Sequence, residues 1–216
     1  MHYVSTRNPD IELTAAQAIV QGLSRDGGLF LPREIPQITL EDIAALSKRS
    51  YPERAAKIMK LYLDEFSEEE LLGFAEKAYG AAKFDDVKAA PVKALGDDRY
   101  IMELWHGPTC AFKDMALQML PYLLTASLKK TGEEKTVCIL VATSGDTGKA
   151  ALEGFRDVER TKILVFYPDG GVSDIQKLQM VSQEGENVGV CAVKGNFDDA
   201  QSGVKRIFSD PVLREE

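Results

Sequence analysis

The chain has 216 residues, 44% hydrophobic and 28% charged, with a formal charge of −8 at pH 7. That balance belongs to a globular chain long enough to bury a core and excludes an intrinsically disordered one. The acidic surplus argues against a general nucleic-acid binder or polybasic anchor, and apolar runs of only strand length, such as Val137–Ala142, argue against a bilayer span.

The start, Met1-His2-Tyr3-Val4-Ser5-Thr6-Arg7, lacks the basic-then-apolar layout of a signal peptide. Three widely spaced cysteines form neither a disulfide framework nor a metal-site pairing. A cytoplasmic protein with reduced thiols and no bound metal is therefore expected. Thr14 to Ser24 places Ala15, Ala18, Ile19 and Leu23 at helical spacing, and Asp26-Gly27-Gly28 stops that helix. Leu29–Pro32 reads as a short extended piece. Thr39 as N-cap, with Asp42 as the capping-box acid, opens a second helix. Pro52 suits the first turn of a third, running to about Glu65. Ser67-Glu68-Glu69-Glu70 is a stronger capping box, opening a helix through about Tyr79. The acids from Asp64 to Glu70 read as a solvated helix entrance favoured by the macrodipole rather than as a ligand site.

From about Ala89 the pattern changes. Pro91–Leu95 and Tyr100–Leu104 flank Gly96-Asp97-Asp98, a hairpin signal. A single long helix is expected from about Phe112 to Lys130. Strands and helices then alternate: 136–142, 147–156, 162–167, 174–183, 188–193 and 198–208. Almost wholly apolar strands separated by helices imply a parallel sheet covered on both faces. The expected class is α/β: a mainly helical region, 1–88, followed by a parallel sheet with helices on both faces, 89–216. Function in such sheets gathers at the carboxyl ends of the strands.

Two stretches carry chemistry. In Glu103-Leu104-Trp105-His106-Gly107-Pro108-Thr109-Cys110-Ala111-Phe112-Lys113-Asp114, Lys113 sits where a Gly-Pro loop turns into a helix. The positive end of a helix disfavours an ammonium, which favours the neutral, nucleophilic amine. An exposed surface lysine is the plain alternative. In Ala142-Thr143-Ser144-Gly145-Asp146-Thr147-Gly148-Lys149 the chain leaves an apolar strand and opens a helix, presenting unpaired N–H groups to an anion. The plain alternative is a strand–helix turn with Asp146 or Thr147 as N-cap. A nucleotide P-loop is excluded, because Thr143 stands where the first glycine is needed and Ala150 where a hydroxyl is needed.

Together these stretches resemble the threonine synthase family, enzymes of fold type II dependent on pyridoxal phosphate (PLP) within the tryptophan synthase β-like superfamily. Ser5-Thr6-Arg7, Gly22 to Pro32, and Tyr167-Pro168-Asp169-Gly170-Gly171-Val172-Ser173 leading to Gln176 share the resemblance, which covers nearly the whole chain. It implies that Lys113 carries PLP covalently and serves as the proton-transferring base. It also implies that Ser144, Gly145, Thr147 and Gly148 bind the substrate carboxylate, and that Asp146 faces the cofactor. Where many fold-type II enzymes have asparagine, Asp146 as a carboxylate can only accept hydrogen bonds. The implied reaction converts O-phosphohomoserine and water into threonine and phosphate, with no nucleic-acid or membrane partner and with homo-oligomer formation left open. Alternatives are a related phospho-lyase releasing a keto acid, and a truncated non-catalytic module.

The resemblance further implies that residues 89–216 form a partial PLP domain lacking the downstream half that holds the PLP phosphate, so that the chain alone is inactive. Lys194-Gly195-Asn196-Phe197-Asp198-Asp199 reads as a helix-capping turn rather than a substitute phosphate cradle. His106 reads as a pocket-shaping or local hydrogen-bonding residue. Trp105 and Phe112 read as packing residues, and Cys138 and Cys191 as buried small hydrophobes. Arg7 and Lys177 are candidates to meet phosphate, with exposed or structural roles as the default.

Overall fold

Helix starts follow capping chemistry in much of the computed structural model, which describes residues 1–210. Helix α1 (Ala15–Gln21), α2 (Leu40–Leu46), α3 (Tyr51–Tyr62) and α4 (Glu68–Tyr79) open on the capping boxes Thr14/Gln17, Thr39/Asp42, Ser50/Glu53 and Ser67/Glu70. In each, the cap oxygen accepts the N3 N–H and the N3 side chain accepts the cap N–H, satisfying otherwise orphaned donors. Strands β1 (His2–Ser5), β2 (Glu12–Thr14) and β3 (Phe30–Pro32) form an antiparallel sheet ordered β2-β1-β3. Of these only β3 is anticipated in the sequence reading, and α1 and α3 end about three residues early. The expected hairpin is present as β4 (Val92–Gly96) and β5 (Arg99–Met102), paired antiparallel.

The long helix expected from Phe112 to Lys130 is two helices, α5 (Asp114–Leu117) and α6 (Leu120–Thr131). Pro121 is the cause. It has no N–H to give the Leu117 carbonyl four residues back, and its ring crowds that carbonyl.

The chain forms two compact units, residues 1–106 with 122–134, and residues 107–121 with 135–216. In the first, Phe66 and Leu71 are fully buried in a cluster with Ala15, Ala56 and Leu63, packed on by Tyr3, Met59, Phe74 and Leu123. Buried Tyr79 lies edge-on to Tyr51 and Phe84, with centroids 5.0 and 5.8 Å away.

The second unit is a parallel sheet of β6 (Val137–Ala142), β7 (Thr161–Pro168) and β8 (Val188–Val193), in that order, with Val165 opposite both Val141 and Val190. Helix α7 (Asp146–Phe155) packs on β7 through buried Ala150, Ala151, Leu152 and Phe155. Helix α9 (Phe197–Ser209) packs on β6 and β7 with Ala200 and Val204 buried, and α8 (Asp174–Val181) lies against α7. Cys138 and Cys191 are exposed, not buried, because both lie on the outer strands β6 and β8. Trp105 and Phe112 are likewise more than half exposed rather than packed. Helices α7, α8 and α9 all begin just beyond the carboxyl ends of the strands. Among the described residues no helix is long and apolar enough to cross a membrane.

Candidate active site

The loop between β6 and α7 is built around Thr143. Its backbone N–H donates to the Phe166 carbonyl at 2.9 Å, extending the β6–β7 ladder by one rung. Its side chain is buried, and Oγ1 accepts the N–H groups of Gly145 at 3.0 Å and Gly148 at 2.9 Å. Gly145 is the N-cap of α7, with φ +144°, in place of the expected Asp146 or Thr147. The φ of +144° demands glycine, and a Cβ there would also lie 2.4 Å from the end of the Gln176 side chain and displace it. Gln176 opens α8: its Oε1 accepts from Ser173, and its Nε2 donates to Asp146 Oδ1 at 2.7 Å. The Asp146 carboxylate is thus held by an amide on the neighbouring helix. The N–H groups of Ser144, Asp146 and Thr147 have no acceptor among the described residues, and Ser144 is exposed.

Lys113 is the N-cap residue of α5 and is half-buried, its Nζ 4.3 Å from the centroid of the Phe112 ring. The carboxyl end of α5 meets α7 closely. A Cβ at Gly154 would fall 2.1 Å from the Leu117 carbonyl oxygen, the same carbonyl that Pro121 leaves without its helical donor. Asp114, at the other end of α5, acts on the charge of Lys149 in the first turns of α7. Lys113 and the Ser144–Gly148 loop belong to the same compact unit. No hydrogen bond or ion pair joins Lys113 to that loop among the described residues.

Lys149 donates to Gln183 Oε1. Burial pulls its pKa below the ordinary lysine value, with Arg156 adding to the drop and Glu153 and Asp114 opposing it. In the first unit, His106 Nε2 lies 2.9 Å from Glu103 Oε2 and Nδ1 2.5 Å from Asp85 Oδ1. Hydrogen bonds to Glu103 and then Asp85 raise the His106 pKa above its ordinary value. Its role is local, closing the chain just before Gly107. Arg7 Nη1 donates to the Asp26 carbonyl at 3.0 Å and Lys177 lies 3.5 Å from Asp169, so both have protein partners. Gly195–Asp199 is the capping turn of α9, with Asn196 as N-cap.

These donors suit a phosphorylated pyridine aldehyde and an amino-acid substrate. Lys113 offers an amine with no carboxylate partner among the described residues, and the loop offers a carboxylate the N–H groups of Ser144, Asp146 and Thr147. Thr143, Gln176 and Asp114 hold this arrangement, and the sequence reading assigned none of them such a task. Thr143 and Asp114 stand inside the motifs, but only folded distances show what they bond.

Residues 2–79 match the family described as "Threonine synthase N terminus". The threonine synthase of Pseudomonas aeruginosa is 40% identical over 97% of the chain and 44% of its own length. "Threonine synthase-like 1" of Homo sapiens is 37% identical over 90% of the chain and 27% of its own length. The crystal structure of PLP-bound threonine synthase from Brucella melitensis superposes with a TM-score of 0.88 at 40% identity, over 98% of the chain and 45% of that structure. By fold, the chain is an α/β protein that matches solved threonine synthases over less than half of their length. More narrowly, it is homologous to the amino-terminal portion of threonine synthases, and it spans less than half the length of the curated relatives it matches.

Proposed function

We propose that the protein carrying this chain is a PLP-dependent carbon–oxygen lyase, a threonine synthase, which converts O-phospho-L-homoserine and water into L-threonine and phosphate. The observation that supports this best is the likeness to a PLP-bound threonine synthase, 40% identical over 98% of the chain, together with Lys113 and the glycine-bounded loop belonging to one compact unit. When bound, PLP supplies an electron sink for the substrate α-carbon. Lys113 Nζ anchors the cofactor, takes the α-proton once the substrate amine has displaced it, and moves protons at the β-carbon. Phosphate leaves from the γ-carbon with the electrons of the C–O bond, and water oxygen adds at the β-carbon. The N–H groups of Ser144, Asp146 and Thr147 and the Thr147 hydroxyl hold the substrate carboxylate, while Gly145 and Gly148, whose N–H groups go to Thr143, shape the loop around it. Asp146 serves the cofactor; as a carboxylate it accepts only, so its partner there must be a donor. The working compartment in this reading is the cytoplasm.

Lys113→Ala should lower turnover by about 10³-fold or more and abolish borohydride-fixed PLP. Fixed PLP at the parent's stoichiometry in that variant would refute the assignment. A second reading is a threonine synthase-like phospho-lyase that releases a keto acid from the same substrate. Product analysis separates the two: threonine supports the first, keto acid the second.

A further inference from the structure

We infer that Asp114 is the positioning residue for Lys113, its buried carboxylate clamping the Gly107–Cys110 turn so that the lysine enters α5 at a fixed place. This rests on the reading of Lys113 as the cofactor-bearing lysine. Asp114 is fully buried, and both its oxygens are used: Oδ2 accepts the Thr109 N–H at 2.9 Å and Oδ1 the Thr109 hydroxyl at 2.8 Å. Thr109 is itself buried. The turn is closed by the Cys110 N–H donating to the Gly107 carbonyl at 3.1 Å. A Cβ at Gly107 would lie 2.6 Å from Asp114 Cβ and Oδ2, so the backbone of the turn lies directly against the carboxylate.

The main chain completes the clamp. The Asp114 N–H donates to Ala111 O at 3.0 Å, and its carbonyl accepts Gln118 N–H at 3.1 Å. The Lys113 carbonyl accepts both Ala116 N–H at 3.1 Å and Leu117 N–H at 2.9 Å. Lys113 thus stands between a loop held by the Asp114 side chain and a helix held by the Asp114 backbone. A buried carboxylate is an expensive way to close a surface turn, since an exposed Asx or Ser cap does so without desolvating a charge. Rigid placement of the neighbouring amine gives that expense a use, because displacement of a reacting group by about 1 Å can lower rates by about 100-fold.

The test uses the PLP-loaded protein and three readouts: kcat and KM, the rate at which PLP added to the stripped protein becomes borohydride-fixed, and the thermal midpoint. Thr109→Val removes one donor and keeps the shape. It should slow both kcat and PLP fixation about tenfold, with KM within about twofold of the parent. Thr109→Ser restores the hydroxyl and should restore both rates. Asp114→Asn keeps an acceptor for the Thr109 N–H and should fall between. The inference is overturned if Thr109→Val fixes PLP and turns over at parental rates, or if Thr109→Ser is as slow as Thr109→Val. Lys113→Ala, run alongside, separates the two ideas: fixed PLP there sinks the lysine assignment itself, whatever the Thr109 variants do.

Discussion

At Thr143 one hydroxyl oxygen accepts two backbone N–H groups that α7 cannot satisfy, while its methyl packs against Gly148. Thr143→Val keeps the shape and strands both donors. We expect a loss of about 2–4 kcal/mol in denaturant unfolding, with Thr143→Ser recovering most of it. Thr147→Val should raise the substrate KM about tenfold and leave PLP affinity unchanged, because its hydroxyl is assigned to the amino acid. Collapse of PLP affinity at constant KM would move the loop to the cofactor instead. Thr143 is visible in the sequence as a P-loop mismatch and nothing more. Its donors lie two and five residues on, and only the left-handed turn at Gly145 folds them back onto it.

At the scale of elements, α5 and α7 meet where Gly154 of one has no side chain and the Leu117 carbonyl of the other gets no N–H from Pro121. Gly154→Ala would drive a methyl into the Leu117 carbonyl, which cannot swing away as a flexible side chain could. We expect destabilisation of about 3 kcal/mol and loss of PLP fixation in step with it, read by melting and borohydride trapping. Elements whose signal is local were legible: the capping boxes at Thr39 and Ser67, the helix start at Pro52, the hairpin around Gly96, and the alternation of parallel strands with helices. Strands β1 and β2, of four and three residues, are too short to show a period of two and exist through pairing with each other and with β3. The break between α5 and α6 was readable at Pro121, but the helical spacing around it suggested one continuous element.

Across the whole chain, charge is arranged so that stability should pass through a maximum in pH. The capping acids Asp42, Glu53 and Glu70 are held below the ordinary carboxylate range, chiefly by hydrogen bonds from Thr39, Ser50 and Ser67. Their contribution is full above the unfolded carboxylate value of about 4 and fades as pH falls toward their folded values. His106 behaves in the opposite sense. Its pKa is raised by Glu103 and Asp85, so its contribution is full below about 6.5 and is lost as pH rises through the folded value. The thermal midpoints of the parent and of His106→Gln should differ at about pH 6 and converge as pH rises; a constant gap would show that His106 acts through packing alone. The two units cut the chain differently from the change of texture near Ala89, since residues 122–134 group with the first. Residues 89–106 also group with the first unit, because the hairpin and the His106 contact to Asp85 belong there.

The Thr143 tether has a kinetic consequence. With Gly145 and Gly148 already committed to its hydroxyl, the loop is ordered during folding rather than at each encounter with an anion. Association should then be a single concentration-dependent step without a lag, and different carboxylates should be told apart by residence time rather than by speed of arrival. Stopped-flow traces that saturate in rate at high ligand would instead point to a loop that orders only on contact.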